Sequence, residues 1–252
     1  MSRAARSSSA AVADQVLQAA RELAKAVDTL TFGSAVGFVY NPLDYAWNAH
    51  RDYILKYAQR GCRTVFVGMN PGPWGMAQTG VPFGEITAVR DWLKVEGGIG
   101  TPAQFHPSRP VLGWECGRSE VSGQRLWGLF RARFQTPQRF FAEHFVLNYC
   151  PLLFLEPSAR NITPDKLPVK VRSRLETVCD HHLESVVRAL GVDCVVGVGG
   201  FAEKCAQRVF GDSIRVAKVL HPSPASPHAN RDWAGKAQQQ LVEQGLWESG
   251  SR

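Results

Sequence analysis

"RTVFVGMNPGPWGMAQTGVPFGE", residues 63–85, joins a short β-branched apolar run to a loop that holds five glycines and three prolines and meets its first acid only at Glu85. An apolar run of this length, stopped by glycine beside proline, reads as a buried strand ending in a tight, rigid turn. The pattern recurs downstream in "HFVLNYCPLLFL" (144–155), which contains a buried strand, in "VDCVVGVGG" (192–200) and in "IRVAKVL" (214–220). Between these runs apolar residues return at helical spacing: "ADQVLQAARELAKAVDTL" (13–30) with Asp14 near its start, "ITAVRDWLKVE" (86–96), "GQRLWGLFRARF" (123–134) and residues 169–190. Alternating strands and helices predict an α/β fold: a single domain with a central, mostly parallel β-sheet flanked by helices on both faces. The domain is expected over residues 13–247, preceded by a flexible tail at 1–12. Residues 97–123 show six glycines, three prolines and no periodicity, and long loops of that kind are commonly functional or disordered.

Composition narrows the chemistry. The 252 residues are 44% hydrophobic and 20% charged, ordinary for a globular domain. Lysine and arginine total 29 against 22 acids, giving a formal charge of +7 and a pI near 9.3, which favours a polyanionic partner such as nucleic acid. Cys62, Cys116, Cys150, Cys179, Cys194 and Cys205 form no C-x-x-C pair, so a zinc ribbon is not expected and the thiols read as reduced and buried. No apolar stretch approaches a membrane span, and "MSRAARSSSAA" lacks the apolar centre of a secretory signal. The expected setting is a bacterial cytoplasm, with the nucleoid, or the nucleus in a eukaryote. A monomer without metal or cofactor is expected.

In open α/β sheets, ligands bind beyond the carboxyl ends of the strands. Three loops begin there, each with a polar residue able to face a shared crevice: Asn70 in "GMNPGPWGMAQTGVPFGE", Asn148 in "NYCPL" and His221 in "HPSP". Singly, each residue type is an ordinary turn former or a structural histidine. Other motifs fare worse. "GVGGFA" (197–202) fits the G-x-G-x-x-A dinucleotide fingerprint, but the acid expected about 20 residues on falls near Ala217 and Lys218. Neither a P-loop nor the H-x-E and P-C-x-x-C signature of zinc deaminases is present.

Taken together, the three loops closely resemble those of the single-strand-selective monofunctional uracil-DNA glycosylases, a branch of the uracil-DNA glycosylase superfamily. Further similarity runs through "RPVLGWECGRSEVSGQRLWGLF", "PSARNITPDKLP", "GVGGFAEK" and "PHANRDW", over roughly residues 35–245. The resemblance implies an enzyme that removes uracil and some oxidised pyrimidines from DNA. It assigns Asn70 to orienting the attacking water and His221 to hydrogen-bonding the departing base. Phe83 would stack on the flipped ring, and Asn148 would read the uracil edge. Met69, Gly72 and Met76 would also face the base, with Gly72 and Met76 beside pyrimidine C5. Pro222, Ser223, Pro224, Ala225, Arg231 and Lys236 would meet DNA.

These assignments suit the chemistry. A base must leave the stack before its glycosidic carbon can be reached, which costs least in single strands. Asparagine cannot take the water's proton as a carboxylate can, so catalysis would rest on positioning and on stabilising the leaving group. Asn148 can accept from uracil N3–H and donate to O4, the reverse of cytosine's pattern. No lysine lies in the three loops, so no Schiff base, and no strand cleavage, is expected. In vertebrate members an arginine follows "HPSP" and fills the gap left by the flipped base; Ala225 stands here, which predicts weaker action on duplex than on single strands. A dinucleotide-dependent oxidoreductase built on "GVGGFA" and a non-catalytic damaged-DNA binder are the alternative readings.

Overall fold

The computed structural model describes residues 3–249. Its strands are β1 (Phe38–Tyr40), β2 (Thr64–Gly68), β3 (His144–Asn148), β4 (Leu153–Leu155), β5 (Asn161–Ile162), β6 (Cys194–Val198) and β7 (Arg215–Val219). The helices are α1 (Arg3–Asp28), α2 (Pro42–Tyr45), α3 (Trp47–Tyr57), α4 (Met76–Thr79), α5 (Val121–Phe134), α6 (Pro137–Phe141), α7 (Val169–Leu190), α8 (Gly200–Phe210) and α9 (Trp233–Glu243).

Four strands make the central sheet in the order β3-β2-β6-β7, every neighbour parallel. β2, β3 and β6 are buried along their whole length, as a sheet covered on both faces requires. The register puts Gly68 opposite Asn148, Val67 opposite Gly197 and Val198 opposite Val219. The strands therefore finish nearly level, and the loops after β2, β3 and β7 leave from one edge.

One expectation is extended and two are corrected. "HFVLNYCPLLFL" holds two strands, because Tyr149–Leu152 turns the chain and β4 joins β1 and β5 in a separate antiparallel sheet. The helix expected over 86–96 is realised mainly as one wide π-type turn, Ala88–Trp92, whose Ala88 amide donates to the Glu85 carboxylate at 2.9 Å. Burial of Val89, Trp92, Leu93 and Val95 on several sides of the segment overrides its helical spacing. Finally, α1 begins at Arg3, inside the stretch read as a tail, and Asp14 sits on its exposed face mid-helix. Val12, Val16, Ala19, Leu23 and Val27 recur at three- and four-residue intervals and are buried where α1 lies against α7 and α3. Residues 1 and 2 of the expected tail lie outside the described residues.

Candidate active site

Gly68 ends β2, and its lack of a side chain opens the site: a Cβ there would overlap Asn148 Oδ1 and the Phe83 ring. The β2–β3 pairing continues one step into the loops, since the Tyr149 amide donates to Gly68 O at 2.8 Å and the Cys150 amide to Met69 O at 2.9 Å. Asn70 Nδ2 donates to Leu152 O at 3.0 Å and to Pro71 O at 3.4 Å. Two carbonyls on the nitrogen fix the amide's orientation and leave Oδ1 as its acceptor for a ligand or water.

The loop beyond is stapled rather than slack. Buried Gln78 donates to Pro73 O (2.8 Å) and Pro110 O (3.0 Å), and its Oε1 accepts from the amides of Leu112 (2.8 Å) and Gly113 (3.2 Å). Tyr45 Oη donates to Ala77 O at 2.7 Å, and Thr79 Oγ1 to Gly84 O at 3.0 Å. At its end Phe83 adopts φ +53°, which a non-glycine residue takes only at a cost. Its carbonyl accepts from Trp127 Nε1 (3.1 Å) and the Glu85 amide (2.7 Å), bonds that hold the ring over the strand ends.

A crevice of about 350 Å³ opens at this edge. Of the residues named from sequence, Met69, Asn70, Gly72, Met76, Phe83, Asn148, His221 and Ser223 line it. Asn148 is 7% exposed, with Nδ2 3.3 Å from Met76 Sδ. His221 faces Phe83, ring centres 6.4 Å apart. Its Nδ1 accepts the Ser223 amide at 3.0 Å, so the neutral ring carries its proton on Nε2, and burial lowers its pKa to about 4. The imidazole is therefore a neutral donor at physiological pH.

Five other named residues stand away from the crevice lining. Pro222 is buried, its carbonyl accepting from Arg125 Nη1 at 2.8 Å; Pro224, Ala225, Arg231 and Lys236 are exposed. Pro71, Glu120, Ser122, Asn161 and Thr163 line the crevice without having been singled out. Glu120 packs against Gly72 and Gly75, where a Cβ would strike its carboxylate, and its Oε2 has no hydrogen bond among the described residues. Burial first, and then the Glu85 charge, push its pKa up to about 7, while the amides of Gly72 and Gly123 pull the other way. The strings "RPVLGWECGRSEVSGQRLWGLF" and "PSARNITPDKLP" pointed to the right segments. Which residue of each turns inward depends on the path of irregular chain, which periodicity does not encode.

The profile of the Uracil DNA glycosylase superfamily matches residues 55–243. This chain belongs to the uracil-DNA glycosylase superfamily. Among its relatives in that superfamily, the single-strand selective monofunctional uracil-DNA glycosylase of Rattus norvegicus is 50% identical over 238 residues, 93% of this chain and 86% of that protein. The Bos taurus protein of the same description is 51% identical over 238 residues, covering 93% and 88%. The fold is also similar to the crystal structure of wild-type Pedobacter heparinus SMUG2, with TM-score 0.66 and 17% identity over 93% of this chain and 97% of that one. In this superfamily member the glycines of "GVGGFA" have local duties. A Cβ on Gly197 would strike the backbone of Glu203, so α8 packs closely on β6. Gly199, at φ +90°, leaves room for His221, whose Cβ lies 3.0 Å from where a Gly199 Cβ would stand.

Proposed function

We propose that this protein hydrolyses the N-glycosidic bond of uracil in DNA and leaves an abasic site without cutting the strand. The observation that carries the reading is that Asn70, Asn148 and His221 line one crevice at the carboxyl edge of the sheet. Uracil enters after leaving the stack and lies against Phe83. Asn148 meets N3–H with its carbonyl and O4 with its amide. His221 donates Nε2–H to O2, where charge builds as the N1–C1′ bond breaks and its electron pair passes to the base. Asn70 Oδ1 holds the water whose oxygen bonds C1′ of the cationic sugar, and the proton that water sheds ends on the departing uracil anion, so the products are the sugar hydroxyl and neutral uracil. Among the described residues that line the crevice there is no lysine, and water is read as the nucleophile.

Gly72 and Met76 border the C5 edge, which gives room for a polar 5-hydroxymethyl group in place of an ordered water, whereas a thymine methyl forfeits that water's hydrogen bonds. The "HPSPA" loop, with Pro222, Pro224 and Ala225, meets the flanking DNA together with Arg231 and Lys236. A single chain supplies every group named, so the active unit is read as a monomer, working wherever its DNA is held. No helix among the described residues is long and apolar enough to cross a membrane.

The test is incubation with a single-stranded oligonucleotide carrying one uracil, chelator present, followed by alkali. Alkali-labile breaks at the uracil, absent without alkali, are expected. An oligonucleotide that stays alkali-stable overturns the reading.

A further inference from the structure

We propose that Arg118 and Arg109, held over Trp74 at the rim of the crevice, bind backbone phosphates of the DNA strand that carries the extruded pyrimidine. The inference rests on the glycosylase reading and adds to it a phosphate-binding surface.

Trp74 is half-buried in the loop whose Gly72 and Met76 line the crevice. The Arg118 guanidinium carbon lies 4.6 Å from an indole ring centre of Trp74, and that of Arg109 lies 5.5 Å away. Arg118 is exposed and stands two residues before Glu120, so both partners of this stack leave the crevice wall within two residues of it. Neither guanidinium has a carboxylate partner within ion-pair distance among the described residues. Among the described residues Arg109 donates only from Nη1, to Ser108 O at 2.9 Å, and its buried Nε has no acceptor there.

A guanidinium kept over an aromatic ring loses water from one face and much of its rotamer freedom, while its in-plane N–H edge stays available. That edge matches two phosphate oxygens, and a pre-oriented fork loses less entropy on binding than a free side chain. Single-strand sites pair such cations with aromatic surfaces, and the opposite loop, with Ala225 after "HPSP", supplies no cation at that position.

Binding of a uracil-free single-stranded oligonucleotide, followed by fluorescence anisotropy across a salt series, tests the surface. Arg118→Ala and Arg109→Ala should each flatten the slope of log affinity against log salt by about 0.7, the value for one lost single-strand phosphate contact. Trp74→Ala, which removes no charge, should weaken binding by about two- to five-fold, and less than that once Arg118 is already alanine. Arg188→Ala, on the far end of α7, controls for net charge, and Arg118→Gln serves if the alanine variant does not fold. Slopes indistinguishable from the Arg188→Ala slope, or a Trp74→Ala protein that binds like wild type, overturn the proposal. Uracil release by a wild type whose arginine variants keep their slopes removes this surface alone. Altered slopes in a protein that releases no uracil remove the glycosylase reading and leave the DNA contact.

Discussion

In the proposed reaction Asn70 places the water and His221 steadies the departing base, and a single substitution tests each role. Asn70→Ala removes the acceptor that places the water, and kcat on uracil should fall by about 10²–10³ with KM changed far less. His221→Ala removes one donor to the developing anion, and a loss of similar size, about 10²–10³, is expected. Single-turnover rates check both, and unaffected turnover in either variant takes that residue out of the mechanism. Burial lowers the His221 pKa to about 4, so kcat/KM should show no His221-dependent inflection between pH 6 and 7 and one near pH 4. An inflection in the neutral range that disappears in His221→Gln would contradict this; one that persists there belongs elsewhere, and Glu120, with its pKa near 7, is the nearest source. At this scale the sequence was informative for residues that start a loop at a strand end. It was silent on Glu120, because nothing local distinguishes an acid that turns into a crevice from one that faces water.

Rigid loops, rather than reactive side chains, distinguish the elements around the crevice. Gln78 shows how: one buried amide satisfies two carbonyls and two backbone N–H groups from segments more than 30 residues apart in the chain. Gln78→Ala leaves those groups unpaired, and a loss of roughly 2–4 kcal/mol is expected. For a chain of this size that corresponds to a melting temperature lower by roughly 5–15 °C, readable by calorimetry. A shift under a degree would mean that water or a local rearrangement replaces the staple. The loop after β7 carries its own prediction. Ala225→Arg should raise excision from duplex relative to single-stranded DNA, by restoring a side chain able to fill the vacated stack. An unchanged ratio would show that the helix is opened by other means. The four strands of the central sheet and α7 were legible because burial on both faces or along one stripe leaves a periodic trace. β1 and β5 are three and two residues long and leave almost none. The π-type turn at Ala88–Trp92 mimics a helix in its apolar spacing.

For the molecule as a whole, buried imidazoles set the response to acid. Burial lowers His50 and His221 to about 4, and His144 and His182 to about 3. In the unfolded chain these groups titrate near 6.5 and bind protons that the native state refuses, so stability is full above that value and is lost as pH falls toward 4 and 3. Glu120 works oppositely between its ordinary value and about 7, but four imidazoles outweigh one carboxyl. Thermal melts should therefore show a midpoint that drops steadily from pH 6.5 to pH 4, and a flat profile over that range would contradict the burial of these rings. The antiparallel sheet, the early start of α1 and the packing of α8 under the histidine loop emerge only from the assembled fold, since they depend on contacts between segments far apart in sequence. The proposed function needs three side chains to meet one base, and a crystal structure with a short uracil-containing single strand bound to Asn70→Ala tests that most directly. The account predicts the pyrimidine against Phe83, its N3 and O4 on the Asn148 amide and O2 on His221 Nε2. A base bound elsewhere, or in the crevice with that edge turned away from Asn148, would contradict it.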